Sequence, residues 1–182
     1  MHIKDGLPHA GDIPLSLAFG VRLGKGTHMV QRSAALRFAV GRFDVWAQLE
    51  AGMQDARARG LLGDTFSCLA LQRLFIGNTI KVLQRVLTLR FPDNAEAIAC
   101  TESALADCLS DSLQSGARSL KGSLAEWDIS RHASALEGAV LAGQILLWIK
   151  LTDAEDERRA YQTLLAHSSN LVDVHDLRPP IR

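Results

Sequence analysis

Between about 65 and 90 the chain is apolar on nearly every side, from Phe66, Leu69 and Leu71 through Leu74, Ile76 and Ile80 to Val86, Leu87 and Leu89. A helix of that character has no face to give to water and belongs at the centre of a bundle. Composition points the same way. Ala and Leu dominate, there are only 5 Pro and Tyr occurs once, a balance that favours helices. The expected fold is mainly α: a bundle of about five helices with one short N-terminal β-strand.

That strand is expected over 13–23, where Ile13, Leu15, Leu17, Phe19, Val21 and Leu23 alternate with smaller or polar residues, the period of two of a strand with one buried face. Gly24-Lys25-Gly26 ends it, and Thr27 can cap a first helix over about 28–59, weakened at Gly41 and Gly52. The apolar segment supplies a second helix, about 65–90. Pro92-Asp93-Asn94 opens a third, about 94–121. After the Trp127-Asp128-Ile129 connection, Ser130 can cap a fourth, about 131–151. Thr152-Asp153-Ala154-Glu155 has capping-box spacing and begins a fifth, about 153–168. The chain thus divides into an arm with the strand (1–26), a helical domain (27–169) and a non-helical tail (170–182). A lone strand cannot leave its backbone unpaired and still bury a face. Segment 13–23 is therefore expected to pair with Leu171–Val174 or with its own copy across a dimer two-fold.

The formal net charge of zero hides an asymmetry. Residues 1–90 hold 12 Lys/Arg against 6 Asp/Glu, and residues 91–182 hold 8 against 14. Segregated charge suits a molecule whose two regions meet different partners. Apolar residues at 47% exclude disorder as the default state. Cys68, Cys100 and Cys108 form no close pair, so reduced, mostly buried thiols and a cytoplasmic location are expected. The first residues lack a basic leader before the apolar run, and no run reaches the roughly 20 residues needed to span a bilayer.

Catalytic motifs are absent. The segment Gly20-Val-Arg-Leu-Gly24-Lys25-Gly26-Thr27 is one residue short of a phosphate-binding loop and carries Gly26 where a hydroxyl is required. His132 lies four residues after Asp128 and five before Glu137, without a third converging group, and His167 and His175 have no evident partner. Neither C-x2-C nor H-x3-H spacing exists for zinc. No cofactor and no metal are expected.

The expectation is a non-enzymatic helical protein acting through macromolecular contacts as a scaffold, adaptor or regulator, with protein partners, self-association into a homo-oligomer, and no membrane. The alternative is a nucleic-acid-binding regulator of the β-ribbon type, with Arg22, Lys25, Arg32, Arg37 and Arg42 contacting phosphates. A helical bundle with a small-molecule pocket between the second and fourth helices is a third class.

Overall fold

Strand β1 (Leu36–Phe43) follows the first described residue and buries both of its faces, with Phe38 and Val40 on one side and Ala39 and Phe43 on the other. The computed structural model describes residues 35–76, 85–169 and 172–180. After β1 come α1 (Trp46–Ala58), β2 (Phe66–Leu71), β3 (Val86–Leu89), β4 (Ile98–Thr101), α2 (Ala104–Gln114), α3 (Leu120–Glu126), α4 (Ser130–Leu141), β5 (Ile145–Leu151), α5 (Ala154–His167) and β6 (Asp173–Leu177). The described residues lie within a compact unit spanning Ser33–Arg182.

The strands form one six-stranded sheet in the order β3-β4-β2-β5-β1-β6, antiparallel at every pairing. Because β1 and β2 both pair antiparallel to β5, they run parallel to each other with β5 between them. By the same logic β5 and β6 run parallel with β1 between them. Two split β-α-β units, β1-α1-β2 and β5-α5-β6, are thus interlocked through their first strands. Residues 72–144 are inserted between them and extend the sheet by β4 and β3.

Helices cover both faces. On one side α1 and α5 bury Leu49, Met53, Ala56, Ala160 and Leu164 against Ala39, Phe43, Cys68, Leu147 and Ile149. On the other, α2, α3 and α4 bury Leu105, Leu109, Leu120, Leu124 and Leu136 against Phe38, Val40, Leu69, Leu146 and Trp148. The result is a three-layer α/β/α arrangement.

The sheet overturns the expected mainly-α bundle, and the all-α, helical-bundle description with it. The apolar segment near 65–90 opens with β2, every residue of which is buried, and closes with β3. A strand covered on both faces loses its polar alternation, and a short apolar run then carries no period that separates strand from helix. The same cause explains β5: Ile145–Leu151 is apolar except at Lys150, so the fourth helix stops at Leu141 and the remainder is a central strand. The expected helix 28–59 is β1 followed by α1, and the expected helix 94–121 begins with β4. Strand 13–23 lies outside the described residues; within them, the tail strand pairs with β1.

Candidate functional site

The α3–α4 connection and β6, far apart in sequence, enclose a cleft of about 260 Å³ lined by residues 128–132 on one wall and by Val174, His175, Asp176 and Arg178 on the other.

The first wall is shaped by how α3 ends. Ile129 N–H donates to Leu124 O at 3.1 Å and Asp128 N–H to Ala125 O at 3.3 Å, the paired bonds of a Schellman motif. Asp128 holds the left-handed position of that motif with φ 70°, a conformation its short polar side chain tolerates better than most. Ile129 then serves at once as the N-cap of α4. It is buried, and no side-chain group caps the helix. His132 and Ala133 N–H both donate to Ile129 O, at 3.0 and 2.9 Å. The N–H groups of Ser130 and Arg131 have no partner among the described residues. The positive end of α4 therefore opens on the cleft with unused donors.

The second wall is a sheet edge. Arg42 O accepts from Ser169 N–H at 2.8 Å, on the β6 side of β1. Strand alternation then turns the backbone groups of Phe38 and Val40 toward β6, where they face His175 and Asp173. The N–H and C=O of Val174 and Asp176 consequently point away from the sheet, and they make no hydrogen bond among the described residues. The next outward group, Arg178 N–H, donates to Trp127 O at 3.2 Å. The α3–α4 connection has taken the first rung of this edge and left the following ones open.

His175 points from β6 into the aromatic cluster beneath α4. It is 6% exposed, and its Nε2 is buried with no hydrogen-bond partner. Its ring centroid lies 5.2 Å from that of His132 and 5.9 Å from that of Trp148, whose Nε1 is likewise unpartnered. Burial, chiefly, pushes the His175 imidazole below its usual value, with His132 and Arg42 adding to the effect and Asp173 and Asp176 opposing it. The charged groups at the cleft are mostly matched: Asp128 with Arg178 at 3.4 Å and Asp176 with Arg37 at 3.6 Å. Arg131 is exposed and makes no ion pair among the described residues.

This arrangement is suited to holding a group rather than transforming one. No hydrogen bond among the described residues aims His132 or His175 at a carboxylate or hydroxyl, as general-base chemistry requires. Among the described residues no three His, Cys, Asp or Glu side chains converge to hold a metal. Burial pushes the Cys68 and Cys108 thiols up to about 12, and Cys100 higher still. No helix among the described residues is long and apolar enough to cross a membrane.

Of the basic residues singled out in the sequence, Arg22, Lys25 and Arg32 lie outside the described residues. Arg37 and Arg42 sit five apart on β1 and so project from opposite faces of the sheet. Arg37 is engaged by Glu157 at 3.2 Å as well as by Asp176, while Arg42 faces the His175 side. His132 and Asp128, read in sequence as a dead end, do meet a third group, but it is His175, more than forty residues on. Only a long-range pairing brings it there, and no local spacing signals that. No family model, curated protein or solved structure matches this sequence.

Proposed function

We propose that this protein works by non-covalent recognition of a protein partner, and that the partner contributes an extended segment laid along the outer edge of β6 in the α4–β6 cleft. The observation that carries this reading is the pair of outward-facing backbone groups at Val174 and Asp176, unpaired beside a cleft. An exposed strand edge is a ready template for strand addition, in which main-chain hydrogen bonds supply affinity and flanking pockets supply specificity. The bond from Arg178 to Trp127 sets the register at which an added segment would begin. A second sheet does not fit as occupant: residues 128–132 form the opposite wall, and about 260 Å³ accommodates a single narrow strand.

The nucleic-acid alternative has less support. Arg37 is neutralised by two carboxylates, and Arg42 lies on the other face. It predicts binding to generic duplex or single strands that weakens steeply between about 50 and 200 mM salt; a flat, weak response removes it.

Strand addition is tested with an array of extended ten-residue peptides probed with the wild-type protein and with Val174→Pro. Proline at an outward-facing edge position removes one free donor without touching the β1 ladder. Peptides that bind should protect the Val174 and Asp176 amides from hydrogen exchange and should lose binding to Val174→Pro. Binders that protect other amides, or a self-associating protein that Val174→Pro turns into a monomer, would overturn the reading.

A further inference from the structure

We infer that the α4 end of the cleft is a carboxylate subsite, formed by the backbone N–H groups of Ser130 and Arg131, the buried His175 imidazole and the Arg178 guanidinium. The inference rests on reading the cleft as a recognition site, but it requires neither strand addition nor a macromolecular partner.

Two independent observations meet here. The first is the uncapped start of α4, where two N–H groups lack partners at the positive end of the helix dipole. The second is His175, which lines the same cleft at 6% exposure with an unpartnered Nε2. A buried polar atom without a partner costs on the order of 1–3 kcal/mol, a penalty that a bound acceptor would lift. Neutral imidazole can carry its proton on Nε2 and donate it.

Size and charge select the ligand class. Ligand pockets usually measure roughly 300–1,000 Å³, so about 260 Å³ suits one compact group, not a drug-sized molecule. Asp128 and Asp176 already balance part of the local positive charge. A dianionic phosphate would meet both carboxylates, whereas a monoanion meets little net repulsion. A carboxylate fits both the donors and this balance. Its two sources in a partner protein are a polypeptide C-terminus and an Asp or Glu side chain.

The test uses sodium acetate, with sodium chloride holding ionic strength constant, followed by amide and imidazole resonances of the full-length protein. Acetate should shift Ser130, Arg131 and His175 along one saturating curve. Ser130→Glu places a tethered carboxylate at an exposed first-turn position, where an acid favours the helix, so the fold should persist while acetate affinity falls at least tenfold. Ala166→Glu, the same charge change at an exposed site on α5, should leave affinity unchanged. Non-saturating shifts, or equal weakening in the two variants, would overturn the subsite.

Three N-acetylated tripeptides then separate the sources: one with a free C-terminus, its C-terminal amide, and an amide with a central Glu. Tighter binding by the first assigns the terminal carboxylate, and by the third an acidic side chain. Binding of the carboxylate-free amide as tightly as either overturns the subsite. Acetate binding that persists while no peptide improves on it leaves the subsite standing and removes strand addition.

Discussion

Asp128 and Arg178 face each other at 3.4 Å across the mouth of the cleft, and the backbone beside them is tied as well, Arg178 N–H to Trp127 O. Both side chains are more than half exposed, and exposed pairs of this kind are worth little, about 0–1 kcal/mol. Asp128 also sits in the left-handed region that favours glycine. Asp128→Gly should therefore leave the urea midpoint unchanged or raise it slightly, because relief at φ 70° offsets the lost ion pair. A fall of more than about 1 kcal/mol would mean that the pair holds the cleft shut.

Stability should depend on pH through His175. Its folded imidazole is held below the usual value, so the unfolded protein binds the proton first as pH falls. The stabilisation is present above about 6.5, the unfolded value, and is lost as pH drops from there toward the folded value. His175→Phe, which keeps an aromatic ring opposite Phe38, should flatten the slope of thermal midpoint against pH between about 7.5 and 5.5. An unchanged slope would assign the dependence to another group.

Gly41 passes beneath α5 so closely that an added Cβ would lie 2.7 Å from Leu164 Cδ2 and 3.3 Å from Ser168 Cβ. Leu164 is fully buried and has little room to yield. Gly41→Val should cost about 1–3 kcal/mol, the usual range for overpacking, measured by urea denaturation.

The three thiols should be silent in the folded protein. Cys68 and Cys100 are fully enclosed and Cys108 is buried in α2, and burial keeps all three protonated at neutral pH. A thiol-reactive dye at pH 8 should label none within minutes and all three in denaturant. Rapid labelling of the native protein would place at least one at the surface.

Asp153 caps α5, its side chain accepting from Asp156 N–H at 2.8 Å. Asp153→Ala should cost about 1 kcal/mol, read from the same urea midpoint.

That last helix was the most legible element. Thr152, Asp153 and Glu155 announced its start, and α5 begins one residue after its cap. The start of α4 and the break at Trp127-Asp128-Ile129 were also readable, since turn and cap chemistry is local. Ser130, however, is the first helical residue and not the cap, a role that falls to Ile129. The strands were hidden because helices cover both faces of the sheet: Cys68, Leu69 and Ala70 are each 0% exposed although they point alternately to opposite layers. The site was hidden for a different reason. His132 and His175 meet only once β6 has paired with β1, and the aromatic cluster they join includes Trp148 from β5. No local window of sequence holds all three.

The interlocking of the two split units also governs the order in which the protein can be made. β1 leaves the ribosome early, yet both of its sheet neighbours are among the last strands to be synthesised. Until then Phe38, Val40 and Phe43 have no strand to shield them, and contacts so distant in sequence form slowly. The nascent polypeptide must carry an adhesive first strand through nearly its whole synthesis, which makes this protein a natural client for chaperones that hold unpaired strands.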